Sequence, residues 1–206
     1  MALQVLTKSE TIAALADDIL HNYGKGRVII AVDGLDGVGR SEFADALAAQ
    51  LGIGHRAVFR ASMDDFQNSR ATREAKGVDT FEGAYRNTFD YVTFKRMLVE
   101  PFRSPGSIGS FVLQAFDEER DVPFEPKWTS GPADAMLIVD GIYLNRPELK
   151  GIWNFSIWVE GEQAADGPDA EVEQLYIDEA SPRTSATAII DNTDVEHPRR
   201  RFADSC

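Results

Sequence analysis

Cysteine is all but missing from this chain of 206 residues. The single one, Cys206, leaves no partner for an internal disulfide, so the fold must stand on its core alone. That usage fits a reducing compartment, and cytoplasmic residence is the expectation. Long apolar runs are also lacking. None reaches the roughly 18 residues that would suggest a membrane span, and MALQVLTKSE has no basic-then-apolar secretory layout. Histidine is scarce, and His21, His55 and His197 lie too far apart for the short spacings of zinc sites. Positive charge is in deficit: 21 Lys and Arg stand against 34 Asp and Glu, a net charge of −13. Such a surface repels extended phosphate backbones, which argues against nucleic acid as a partner. A single polyphosphate neutralised by a metal ion meets only a local donor set and is not excluded. The deficit is sharpest from Glu160 to Glu179, with eight acidic residues and no basic one. It reads as a solvated acidic loop leading into a short helix, or as a contact for a cation or basic partner, without the spacing of a defined metal site.

What is present is an ordinary globular composition, 43% hydrophobic and 27% charged, sized for one α/β domain over residues 1–206. A first helix is expected from Ser9 or Thr11, with Ile12, Leu15, Ala16 and Ile19 on one stripe and Gly24-Lys25-Gly26 as its stop. Short apolar strands are expected over 28–32, 55–62, 135–141, 154–160 and 187–192. A helix is expected just past Gly39. Residues 67–82 are polar and give no assignment. A patchy helical pattern follows in Tyr91, Phe94, Leu98 and Phe102, with Pro101 and Pro105 expected to break it. Residues 110–116 read as a strand on the sheet or part of a hairpin beside it. Helices alternating with apolar strands predict a mostly parallel, helix-covered sheet.

Between the first strand and the second helix stands Gly34-Leu35-Asp36-Gly37-Val38-Gly39-Arg40-Ser41. It meets the phosphate-cradling pattern G-x-x-x-x-G-K-[ST] at every position but the lysine, where Arg40 stands. Glycines here let successive N–H groups and a helix N-terminus converge on one anion. Ser41 would aim its hydroxyl at Mg²⁺, and Arg40 would reach the β- and γ-phosphates of ATP. Arginine keeps the charge but spreads it over a planar fork, so either it bridges phosphate oxygens from a displaced position or it supports binding without well-placed charge in the transition state. The alternative to all of this is a glycine turn that binds nothing.

Carboxylates at strand ends supply the remaining candidates. Asp64, beside Asp65, could accept a proton from an acceptor hydroxyl, or cap a local turn. Asp140 ends the run Met136-Leu137-Ile138-Val139 and is placed to hold Mg²⁺, or serves only the turn before Gly141. Asp90 and Tyr91, among aromatic neighbours, suit a ribose-like diol on a stackable base, or belong to packing. Arg120 and Arg183 are candidate substrate contacts. A GTPase is disfavoured because no N-K-x-D segment occurs.

At these residues the sequence resembles the uridine kinase-like branch of the P-loop kinases, a group that includes phosphoribulokinase and pantothenate kinase. GLDGVGRS occupies the phosphate-loop position, SMDDF (62–66) and TFD (88–90) follow, and LIVDG (137–141) has the character of the Walker B strand. The resemblance covers about residues 25–195. It implies a three-layer P-loop NTPase sandwich and ATP-dependent phosphorylation of a nucleoside 5′-hydroxyl. By its motifs Asp64 is the base, Asp90 the ribose contact and Asp140 the Mg²⁺ support. A homo-oligomer is allowed; a membrane or nucleic-acid partner is not implied. Two departures stand out: Arg40 in the loop, and GEQAADGPDAEVEQLYIDEA (161–180), where the family carries an arginine-bearing lid and this chain has no arginine. They motivate a second reading, a nucleotide-binding regulatory protein with little activity; a third, a nucleoside-monophosphate kinase, would need clustered basic residues over the acceptor site, of which the sequence supplies few.

Overall fold

A computed structural model describes residues 5–104, 110–162 and 168–202. Helix α1 (Lys8–Asn22) leads into β1 (Val28–Gly34), α2 (Arg40–Gly52) and β2 (Val58–Ser62), which ends in a 3₁₀ turn at Met63–Phe66. Three short helices follow, α3 (Arg70–Ala75), α4 (Phe81–Asn87) and α5 (Tyr91–Phe94), the last continuing through a π turn (Lys95–Val99) into α6 (Glu100–Arg103). Four short strands, β3 (Ser110–Val112), β4 (Phe116–Asp117), β5 (Val122–Pro123) and β6 (Trp128–Ser130), precede β7 (Met136–Gly141). A 3₁₀ turn at Pro147–Leu149, β8 (Phe155–Glu160), α7 (Pro168–Ala180), α8 (Pro182–Ser185), β9 (Ala188–Asp191) and β10 (Arg199–Arg201) complete the chain.

Six strands form one sheet in the order β10-β9-β8-β1-β7-β2, parallel except for the β9–β10 pair. Every residue of β1 and β7 is buried, as central strands covered on both faces must be. Side chains of β1 alternate between two cores. Val28, Ile30 and Val32 pack with Leu15 and Ile19 of α1 and Phe43 and Leu47 of α2. Ile29 and Ala31 face Phe94, Leu98, Phe102 and, from α7, Tyr176. The result is a helix–sheet–helix sandwich, the expected fold class. Register brings Val32 and Ser62 opposite Asp140, so the C-terminal ends of β1, β2 and β7 are level and the loops that follow them meet at one crevice.

Several expectations need correction. Helix α1 starts earlier than read, because Thr7 and Glu10 form a reciprocal capping box that fixes the entry at Lys8. The unassigned stretch holds α3, capped by Ser69, and the start of α4, capped by Thr80; both are too short to show apolar periodicity. Pro101 does not end its helix. The preceding turn is already widened to π geometry, with Glu100 N donating to Lys95 O, so the missing proline N–H falls where the ladder is loosened. Pro105 lies outside the described residues. Residues 110–116 divide between two small antiparallel pairs, β3–β6 and β4–β5, beside the main sheet. Strand β10 was not read at all.

Candidate functional site

The glycine loop connects β1 to α2 at the level crevice. Gly37 and Gly39 hold φ of +80° and +76°, the left-handed region that favours glycine. A Cβ on Gly39 would sit 2.8 Å from Asn192 Nδ2, which itself donates to Val38 O at 2.8 Å. The end of β9 thus holds the loop from behind. Leu35 and Val38 turn their side chains into the core, leaving the backbone for other work.

Ser41, in the first turn of α2, donates from its hydroxyl to Asp140 Oδ2 at 2.6 Å. Ninety-nine residues apart in sequence, a hydroxyl and a buried carboxylate meet under the loop. Both are hard oxygen donors of the kind a divalent magnesium ion takes. Arg40 does something the sequence did not predict. Its Nη1 donates to Leu35 O at 3.0 Å and to Asp36 Oδ1 at 2.8 Å, folding the guanidinium back on the loop, while its Nε is buried without a hydrogen-bond partner. Asp36, largely exposed, is a partner that solvent can replace.

Across the crevice, Ser62 caps the 3₁₀ turn that carries both aspartates: its Oγ accepts from Asp64 N, and Asp65 accepts from Ser62 N. Burial pushes the Asp64 carboxyl above its ordinary value, opposed by the Arg40 charge, with Glu118, Asp140 and Asp36 adding to the upward push. Burial likewise lifts Asp65, to about 6, against the Ser62 hydrogen bond. The TFD segment is pinned alongside by Asp90 N donating to Phe66 O at 2.7 Å and Asn68 N to Thr88 O at 2.9 Å. Asp90 caps α5, accepting from Thr93 N and Oγ1, and also lines a hollow of about 380 Å³ with Asn68, Phe116 and Phe124. On the opposite side of the loop, Leu35, Val38, Gly161, Pro182 and Arg183 line an apolar hollow of about 360 Å³.

The structure therefore brings together the loop, Ser41, Asp140 and Asp64, with Asp90 in an adjoining hollow. It separates the rest. Tyr91 points into the interior, its hydroxyl accepting from Arg146 and burial raising it to about 12. The Arg120 side chain is 79% exposed, its guanidinium no nearer than 3.7 Å to Asp117, whose carboxylate accepts from the Arg120 backbone N–H at 3.1 Å. Arg183 pairs with Glu160 at 2.6 Å on the far side of the loop from Asp90. Among the described residues no group of three or more His, Cys, Asp or Glu is placed to hold a metal ion, and no helix is long and apolar enough to cross a membrane.

Three residues here escaped the sequence reading. Asp33 is fully buried and accepts from Gly34 N, Asn145 N and Nδ2, and the Tyr176 hydroxyl. Glu173 of α7 accepts from the loop amide of Asp36 at 3.4 Å. Arg60 of β2 donates to Asp140 Oδ1 at 2.8 Å. The signal for Asp33 and Arg60 was a charge inside an otherwise apolar strand; Glu173 had none.

No protein-family model matches the chain, and no curated protein does. Solved structures do. One described as a possible uridine kinase from Bacillus stearothermophilus aligns with TM-score 0.74 at 21% identity, over 87% of this chain and 97% of that one. The chain has the fold of the P-loop kinases. A candidate fructose transport system kinase from Silicibacter sp. gives 0.58 at 22% identity over 84% and 92% of the two chains. D-glycerate 3-kinase from Cryptococcus neoformans gives 0.53 at 9% over 84% and 86%. Within the P-loop kinase fold, the glycine loop here stands at the start of the helix after the first strand, and Asp140 ends the neighbouring strand.

Proposed function

We propose that this chain is an ATP-dependent kinase that phosphorylates a hydroxyl of a small uncharged acceptor, a nucleoside being the best fit. The observation that carries the reading is the Ser41–Asp140 pair at 2.6 Å under a left-handed glycine loop, with Asp64 at the end of the next strand but one. The kinase descriptions of the similar structures lend support.

The residues present fit ATP and Mg²⁺. Loop amides from Asp36 to Ser41 would take the phosphates, and Ser41 with Asp140 would hold the metal. Mg²⁺, when bound, offsets charge on the transferring phosphoryl group. The apolar hollow beside Leu35 and Val38 is suited to a nucleotide base, with Arg183 at its edge. Asp64 would accept the acceptor's hydroxyl proton. Its raised affinity for protons makes it a better base than an exposed aspartate. Arg40 would leave exposed Asp36 for the phosphate oxygens, because a polyphosphate with several negative charges is the stronger partner. The hollow lined by Asp90 would seat the acceptor. Phe116 and Phe124 offer stacking surface and Asp90 a diol contact, and among the described residues that line it none is basic. That lining disfavours a phosphorylated acceptor and so a nucleoside-monophosphate kinase.

A second reading, a nucleotide-binding regulator with little turnover, draws on two specific features. Arg40 is folded onto Asp36, and α7 brings Glu173 rather than an arginine to the loop. The discriminating assay follows ATP-dependent phosphorylation across nucleosides, nucleoside monophosphates, pantothenate and sugar phosphates. Turnover of an uncharged acceptor, lost in an Arg40→Ala, Asp64→Asn double variant, is the expected result. ATP binding without any product above that background would remove the kinase and leave the regulator.

A further inference from the structure

Arg60 is the one charged residue of β2, and the protein does not let it reach solvent freely: its side chain is 24% exposed. The guanidinium joins three elements. Nη2 donates to Asp140 Oδ1 at 2.8 Å, Nε to Asp45 Oδ1 on α2 at 2.9 Å, and Nη1 to Ile138 O on β7 at 3.1 Å. Asp45 is 71% exposed and keeps its own hydration, whereas the Asp140 side chain is 4% exposed and depends on protein donors. Both Asp140 oxygens are occupied, one by Arg60 and one by Ser41. A buried carboxylate that has a guanidinium at hydrogen-bond distance carries no net charge as a pair.

We propose that Arg60 is an internal counter-cation that keeps divalent metal off the Ser41–Asp140 pair until a polyphosphate arrives. The proposal rests on the reading of that pair as the Mg²⁺ site. A free divalent ion approaching it meets a neutralised carboxylate, a hydroxyl already donating to that carboxylate, and a fixed positive charge next to both. A nucleoside triphosphate reverses the balance by bringing several negative charges to the same place. Metal and nucleotide affinities are then coupled, each raising the other, and metal enters with the nucleotide rather than ahead of it. Arg60 is on this account a positioning residue, acting through Asp140 and not on the substrate. The anchor on Asp45 serves the same end by tying the guanidinium to the phosphate-loop helix, where it stays beside Asp140.

The test is metal binding without nucleotide. Mn²⁺ is titrated into the full chain, and free Mn²⁺ is followed by electron paramagnetic resonance. The wild type is expected to bind only in the millimolar range. Arg60→Gln, which can still donate to Asp140 but carries no charge, should bind at least about tenfold more tightly. Arg60→Lys should stay near the wild type, and adding Asp140→Asn to Arg60→Gln should abolish the gain. Arg60→Met, which keeps the apolar stem, repeats the test if circular dichroism shows the Gln variant unfolded. Micromolar Mn²⁺ binding by the wild type, a gain below about twofold in the uncharged variants, or a gain that survives Asp140→Asn would each overturn the proposal. ATP titration of the wild type is read separately. Its failure counts against the nucleotide reading, while the Mn²⁺ series still decides whether Arg60 guards Asp140.

Discussion

Asp64 and Asp65 share one turn but different work. Asp64 faces the crevice toward Arg40, whereas Asp65 is spent on the amide of Ser62 and sits above its ordinary pKa, at about 6. A carboxyl raised on folding contributes stability that is fully present below its unfolded value, near 3.9, and is lost as pH climbs through 6. The shift alone would be worth about 3 kcal/mol, and partial solvent access reduces it to roughly 1. Asp65→Asn can still accept from Ser62 N without the charge. It should unfold about 1 kcal/mol later than the wild type in urea at pH 8 and show no advantage at pH 4. A difference independent of pH would contradict this origin. At this scale the sequence was readable where geometry follows a local pattern: the loop glycines at positive φ, Ser41 in the first turn of its helix and the aspartate near the end of an apolar strand. Arg60 and Asp33 were not, because their partners lie 80 and 143 residues away and no local rule announces such pairs.

Among the elements, α7 shows how a helix can be foreseen and its purpose missed. The acidic stretch was expected to lead into a short helix, and α7 runs for 13 residues. Its docking depends on Tyr176, which is buried and donates its hydroxyl to Asp33 at the end of β1, while Asn145 N donates to that hydroxyl at 3.1 Å. Burial drives the Tyr176 hydroxyl pKa upward, with the Asp33 charge acting the same way, so it remains a donor at any working pH. Tyr176→Phe removes a hydrogen bond to a buried carboxylate, a loss of about 2 kcal/mol. Thermal unfolding should fall by roughly 4–8 °C for a chain of this size. No change in Tm would mean that Asp33 is compensated without α7. Pro101 carries a related lesson. Proline was read as a helix breaker, but a π turn just before it had already relaxed the ladder, and that arrangement is set by packing of Phe94, Leu98 and Phe102 rather than by propensity.

For the whole molecule, the apolar strands and their alternation with helices were legible because burial on both faces of a parallel sheet demands continuous apolar runs. Strand β10 was not, since three exposed arginines carry no apolar run; they are held at the sheet edge by Arg200–Asp18 and Arg201–Asp191 pairs and by pairing with β9. The level strand ends then place two hollows on either side of one glycine loop, and the account rests on that loop receiving a polyphosphate. Calorimetric titration of ATP with Mg²⁺ into the full chain measures this directly, with Gly39→Val as the control because its Cβ would meet Asn192 Nδ2 at 2.8 Å from a φ of +76°. The account predicts saturable micromolar binding to the wild type, weakened at least about a hundredfold in a folded Gly39→Val protein. A wild type that takes up no ATP at millimolar concentration, or a variant that binds it equally well, would contradict it.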